Sequence, residues 1–280
     1  MTEQRKKILE TVAYLKKLLP VNYRAKLALI TEDNYKLPAE IKILKKINLR
    51  DAPATFAKDS CDNSLYLLLA KTGNLNFLIL KGRLHFFNGV AMRDIAHYIY
   101  CLKYFGVEKI LSIDEVGYLN PRFKCGEVAL IYDHINLMGD NPLIGENDNE
   151  LGIRFPDMSN AYDSDLFEKS VRVFLDNKIK LNESVYLGII GPESETEAEA
   201  RFYREIGSDV LGYSVIPENI TAVHSKIKFL AIGLLTRELI ADKMKNNTST
   251  EKEKEKDKIK NFKKAEGILN KILTTLLKTL

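Results

Sequence analysis

Residues 185–235 read VYLGIIGPESETEAEARFYREIGSDVLGYSVIPENITAVHSKIKFLAIGLL, and the spacing of their apolar positions decides the fold class. Residues 185–190 form a short apolar run with β propensity, and residues 195–206 switch to helical spacing closed by Gly207. Residues 210–213 return to a strand pattern, 217–224 to a helix and 229–235 to a buried strand. Strands that alternate with helices in this way need an α/β fold built on a mostly parallel or mixed sheet.

Working back from that stretch, Leu9, Val12, Leu15 and Leu19 recur at helical spacing and predict an amphipathic first helix that stops before Pro20. Residues 27–30 (LALI) read as a buried strand. Residues 65–70 and 77–80 predict an antiparallel hairpin, because Thr72, Gly73 and Asn74 supply turn chemistry between them. Over 91–105, Met92, Ile95, Ile99, Leu102 and Phe105 share one helical face, with Gly106 placed for a left-handed cap ahead of a strand at 109–113.

No linker divides residues 1–242, so they are expected to form one domain. Residues 243–260 are rich in Lys and Glu and nearly free of apolar side chains, which predicts a flexible insertion. Residues 261–280 carry Ile268, Leu269, Ile272, Leu273, Leu276 and Leu277 as an apolar stripe on a terminal helix that docks on the domain, or alternatively binds a partner.

The formal net charge is +4, but residues 243–280 hold 11 lysines against 5 acids, leaving the body slightly acidic. That distribution argues against nucleic-acid binding by the folded part. Cys61, Cys101 and Cys125 are widely spaced and odd in number, which fits reduced thiols in a cytoplasmic protein. They form no metal-ligand spacing, and no apolar stretch is long enough for a membrane span. Neither a metal nor a membrane partner is expected.

Seven segments carry more than periodicity: KGRLHFFNG (81–89), GYLNP (117–121), YDHINL (132–137), NPLIG (141–145), RFPDMSNAY (154–162), GPESETEAE (191–199) and GYSVIPE (212–218). In order and spacing they resemble the trimeric purine nucleoside phosphorylases, whose matching stretches include QGRFHxYEG, xxDHINL, NPLxG, GPxFETxAE and GMSTVPE. The resemblance spans residues 1–237. It implies a single α/β domain whose mixed sheet closes into a distorted barrel surrounded by helices. It also implies a homotrimer, and phosphorolysis of a purine nucleoside to free base and ribose 1-phosphate, with phosphate as co-substrate and no cofactor.

Carried over residue by residue, the resemblance makes Arg83, His85 and Ser214 phosphate ligands, with the backbone of Glu115 beside them. A guanidinium grips an oxyanion bidentately, which suits Arg83 to that role. Glu195 falls on the family's base-binding glutamate; its other reading is an exposed acid in the first turn of a helix. Tyr213 offers an aromatic face to the base where Ser194 has replaced the usual aromatic residue. Phe87 stands for a sugar-contacting tyrosine, and Phe155 is expected to reach the neighbouring subunit's site. His134 is expected to support structure.

Several positions depart from the family pattern. The glycine-rich phosphate loop after the first strand is replaced by Thr31, Glu32, Asp33, Asn34 and Tyr35, and the GHAG stretch by Asp62, Asn63 and Ser64. Asp114 and Glu115 add acids at another strand end, and no histidine follows His224. Arg237 replaces the asparagine that serves the leaving group; it either stabilises an anionic purine or pairs with Glu238 or a loop acid. Three readings stay open: an altered phosphorylase, an inactive ligand-binding or interaction homologue, and a nucleoside hydrolase in which Glu32, Asp33 or Glu115 activates water.

Overall fold

The computed structural model describes residues 1–53, 64–244 and 249–280. In chain order its elements are α1 (Glu3–Leu18), β1 (Leu27–Thr31), β2 (Lys42–Asn48), β3 (Tyr66–Thr72), β4 (Leu75–Lys81), α2 (Met92–Tyr104), β5 (Lys109–Tyr118), β6 (Val128–Asn136), α3 (Ser164–Asp176), β7 (Glu183–Gly188), α4 (Glu197–Glu205), β8 (Val210–Gly212), α5 (Val215–His224), β9 (Lys228–Glu238), α6 (Ala241–Met244), α7 (Glu251–Asn270) and α8 (Leu273–Thr279).

The nine strands form one sheet in the order β2-β3-β4-β1-β5-β8-β7-β6-β9, and β9 returns to pair with β5. Strands β5, β8, β7, β6 and β9 therefore close a five-stranded barrel, from which β1, β4, β3 and β2 extend as an open wing. Pairing is mixed: β1 lies parallel to β4 and β5, β9 parallel to β5, and β6 antiparallel to β9. The α/β domain with a barrel-closing mixed sheet is the architecture expected from the sequence.

Two large apolar clusters sit on opposite faces of the sheet. One joins α1, α2 and α5 to it through residues such as Leu15, Ile99 and Ile220, and the other joins α3, α7 and α8 through Phe174, Leu269 and Leu276. The hairpin β3–β4 is antiparallel and turns at Gly73, whose φ is +57°; Gly106 caps α2 at φ +83°. Both glycines sit where a left-handed backbone favours a residue without Cβ.

Some elements differ from expectation. β2 was not foreseen because its residues are largely exposed and carry Lys42, Lys45 and Lys46; charge of this kind protects an edge strand from pairing with another chain. β6 overlaps a segment read only for its motif, and α3 lies between motifs in a segment for which no element was expected. The Lys/Glu-rich stretch, expected to be flexible, is helical from Glu251 onward: Thr250 caps α7 in a reciprocal capping box with Glu253. Local capping and the docking of the C-terminal half supply the order that apolar content alone does not predict. Cys61, Asp62 and Asn63 lie outside the described residues. Among the described residues no helix is long and apolar enough to cross a membrane.

The terminal apolar stripe docks on the domain. Leu273 and Leu276 are fully buried, Tyr35 Oη donates to Asn270 Oδ1 at 2.7 Å, and Lys36 N donates to Glu266 Oε1 at 2.6 Å. Leu276→Ala is expected to lower unfolding free energy by about 2–5 kcal/mol, read from the urea midpoint. A partner-binding helix would leave that midpoint unmoved.

Candidate active site

The turn after β4 begins the site. Gly82, at φ +91°, brings the chain within hydrogen-bonding distance of β1, its N–H donating to Thr31 O at 2.9 Å. Any Cβ there would overlap the Ser64 carbonyl. Arg83 follows and is driven into the protein, its side chain 2% exposed. Its Nε donates to Glu218 Oε1 at 2.8 Å, Nη1 to Glu32 Oε1 at 2.7 Å and to Ile113 O at 2.8 Å, and Nη2 to Ser112 Oγ at 2.7 Å. Asp114 Oδ1 stands 3.5 Å from Nη1.

One guanidinium thus faces three carboxylates, and two of them, Glu32 and Asp114, are shifted in opposite directions. Burial would raise Glu32, but the Arg83 charge and the neighbouring His85 outweigh it and hold its pKa at about 2. Burial dominates at Asp114 and, with the charges of Glu32 and Glu218 added, pushes it up to about 7 against the pull of Arg83. Tyr186 Oη donates to Asp114 Oδ2 at 2.9 Å and accepts from Ser214 N at 3.1 Å. Gly212 makes room for this arrangement, since a Cβ there would lie 2.3 Å from Tyr186 Oη and 2.7 Å from Asp114 Oδ2.

His85 and Ser214 join the same cluster. His85 Nδ1 is 3.3 Å from Ser214 Oγ, and its Nε2 is 3.8 Å from Glu32 Oε2. The His85 ring stacks on Phe87 at 4.7 Å between centroids, and Phe87 meets Tyr213 edge-on at 5.8 Å. These rings form an aromatic wall leading from the Arg83 end of the site to its far end.

At that far end, Glu195 is buried and precedes α4 rather than sitting in its first turn. The helix starts later because Thr196 and Glu199 form a capping box. Tyr213 Oη donates to Glu195 Oε1 at 3.1 Å, while Arg237 approaches Glu195 Oε2 at 3.5 Å and Tyr213 Oη at 3.1 Å. Arg237 therefore pairs with Glu195, not with Glu238, which binds Tyr118 and Lys243.

A cavity of about 870 Å³ connects the two ends, lined by Glu32, His85, Phe87, Glu195, Tyr213, Ser214 and Arg237 among others. Glu115 also lines it, but its carboxylate accepts from Thr236 Oγ1 at 3.0 Å and pairs with Lys258 at 3.1 Å. Phe155 lies away from these residues and is 84% exposed. His134 packs its ring against Tyr162, at 3.2 Å from Nδ1 to the hydroxyl.

Sequence reasoning missed Tyr186, Ser112 and Glu218 as partners in the cluster and Lys258 as part of the wall. A tyrosine inside a buried strand asks for a hydroxyl partner, which was the available signal for Tyr186. Lys258 was hidden by the low complexity of its segment.

The model of the phosphorylase superfamily matches residues 27–278. Purine nucleoside phosphorylase 1 of Bacillus subtilis is 35% identical over 231 residues, covering 82% of this chain and 84% of that protein. The chain belongs to the purine nucleoside phosphorylase family. Isoform 2 of purine nucleoside phosphorylase from Schistosoma mansoni, solved with cytosine and ribose-1-phosphate, superposes with a TM-score of 0.85 at 28% identity, covering 98% of this chain and 96% of that one. A Schistosoma purine nucleoside phosphorylase solved with hypoxanthine gives a TM-score of 0.86 at 26% identity, covering 98% and 97%. Within this purine nucleoside phosphorylase fold, the segments around Arg83, Ser214, Glu195 and Arg237 border one cavity despite lying far apart in sequence.

A carboxyl whose folded pKa lies above its unfolded value stabilises the fold in its protonated form. For Asp114 that contribution is fully present below about pH 4 and is lost as pH rises through 7. Asp114→Asn, which stays neutral, is expected to gain thermal stability over the wild type as pH goes from 5 to 8. Each kcal/mol relieved adds about 2–4 °C for a chain of this size. A melting temperature at pH 8 equal to or below that of the wild type would mean that Arg83 keeps Asp114 ionised.

Proposed function

We propose that this chain cleaves the glycosidic bond of a purine nucleoside with inorganic phosphate, giving free base and ribose 1-phosphate, with phosphate as its co-substrate and no further cofactor. The supporting observation is that one cavity joins an Arg83–His85–Ser214 cluster suited to an anion with a Glu195–Tyr213–Arg237 cluster suited to the edge of a base. The relatives solved with ribose-1-phosphate and with hypoxanthine support the same two halves.

In this reading Phe87 and Tyr213 bound the sugar and base, and Glu195 accepts a hydrogen bond from a ring N–H. As the bond from C1′ to the purine nitrogen lengthens, its electron pair passes into the base, and the Arg237 guanidinium stabilises the charge that gathers there. A phosphate oxygen forms the new bond to C1′, and the released base takes a proton from solvent. The Glu115 backbone belongs to the phosphate end.

Product chromatography on inosine, guanosine, adenosine and methylthioadenosine, each with and without phosphate, tests the reading. Base release is expected only with phosphate. Arg237→Ala is expected to lower kcat by about 10²–10³-fold. Release without phosphate would make the chain a hydrolase, and no release from folded protein would make it a binding homologue.

We further propose a homotrimer in the cytoplasm. Phe155, an exposed aromatic with the Arg154 guanidinium 5.6 Å from its ring centre, has the exposure expected of a side chain that completes a neighbour's site. Cys101 and Cys125 are free thiols, which fits a reducing compartment. Light scattering is expected to give three chain masses, and Phe155→Ala to raise the nucleoside KM with the melting temperature unchanged. A monomer whose KM is insensitive to Phe155 would overturn this assembly.

A further inference from the structure

Arg83 and the Nε2 edge of His85 face one point, with Ser214 against the Nδ1 edge of the same ring, and a carboxylate of the chain itself already fills that point. Glu32, the residue that follows β1, lays Oε1 2.7 Å from Arg83 Nη1 and Oε2 3.8 Å from His85 Nε2. Glu32, His85 and Ser214 line the cavity, whereas the Arg83 side chain lies behind them with 2% exposure. An anion arriving through the cavity meets Glu32 before it meets the guanidinium.

Little of Arg83 is left to offer. A guanidinium has five N–H donors, and Glu218, Glu32, Ile113 O and Ser112 Oγ take four of them. Bidentate capture of a phosphate therefore needs one of these partners to leave. Glu218 is also held by the Ser112 hydroxyl at 2.6 Å, and Ile113 O belongs to a strand. Glu32 lies just past the end of β1 and faces the open cavity, so it is the partner that can move.

The surroundings favour the resident carboxylate over a free anion. Nine carboxylates line the cavity against four Lys or Arg side chains, so the field opposes an incoming dianion. A carboxylate fixed to the adjoining backbone competes at an effective concentration in at least the millimolar range. Its lowered pKa, about 2, keeps it ionised at neutral pH.

We propose that Glu32 is a tethered competitor of phosphate: it occupies the anion subsite, and inorganic phosphate binds there only by displacing it. The inference rests on the phosphorylase reading of this site. It makes Glu32 the residue that sets how much phosphate the reaction requires.

Calorimetric titration of the full chain with inorganic phosphate tests this directly, using wild type, Glu32→Ala, Glu32→Gln and the exposed-charge control Glu205→Gln. Both Glu32 variants are expected to bind phosphate at least about tenfold more tightly than wild type, with Glu205→Gln unchanged. Glu32→Gln keeps the size of the side chain and an acceptor for Arg83, so it carries the test if the alanine variant fails to fold. Binding no tighter than wild type in the Glu32 variants that fold overturns the proposal.

Turnover separates this result from the underlying reading. Tighter phosphate binding with no product in any variant would keep the competitor and remove the phosphorylase. Phosphate-dependent turnover with one phosphate KM in wild type and both Glu32 variants would keep the phosphorylase and remove the competitor.

Discussion

Strand β5 has more neighbours than a strand has edges, and the site follows from how it accommodates them. β9 pairs with it from Lys109 to Tyr118, while its other edge is shared: β1 takes residues 109–112 and β8 takes Gly117 and Tyr118. Residues 113–116 have no ladder partner on that edge among the described residues, and the Ile113 carbonyl is free to receive Arg83. Where two strands part from a common neighbour, a crevice opens at their ends, the usual place for a ligand in an α/β sheet. Arg83 enters it from the end of β4, Ser214 from the start of α5 and Arg237 from β9.

Charge balance then limits what that crevice can hold. Arg83 stands within 3.5 Å of Glu32, Asp114 and Glu218, and three ionised carboxylates around one buried cation would repel one another strongly. Burial, and after it the charges of Glu32 and Glu218, raise the pKa of Asp114, and a proton held there lessens that repulsion. Tyr186 reinforces the arrangement by bonding Asp114 and the Ser214 amide through one hydroxyl. The Arg83 cluster and the first turn of α5 are therefore held by the same buried group.

Much of this was legible in the sequence, for identifiable reasons. The α/β alternation over residues 185–235 and the hairpin around Gly73 gave strong periodic signals, and both are present. The motifs named Arg83, His85, Ser214, Glu195 and Arg237, all of which lie at or directly behind one cavity. What the sequence did not carry was pairing. Nothing local says that Arg237 turns to Glu195 rather than to its neighbour Glu238, or that Glu32 reaches Arg83 across 51 positions. Such choices depend on which strands lie side by side, and only the closed barrel decides that. The Lys/Glu stretch failed in the opposite sense: its composition reads as solvated chain, yet a capping box and a docked C-terminal half make it a helix.

That helix gives the cavity walls of unequal firmness. Its far half is anchored by buried Phe262, Ala265 and Leu269, but none of its residues before Phe262 is buried. The early turns, which supply Glu251, Lys254, Glu255 and Lys258 to the cavity lining, are held by the Thr250 cap, the Lys254–Glu251 surface ion pair and the Lys258–Glu115 contact. Contacts of that kind contribute little against fraying, so the early turns open at a far smaller free-energy cost than the barrel behind them. Foldedness and competence are consequently separate properties of this molecule. A sample can keep its full sheet and core while its pocket has lost one wall, and a spectroscopic measure of secondary structure would scarcely register the difference.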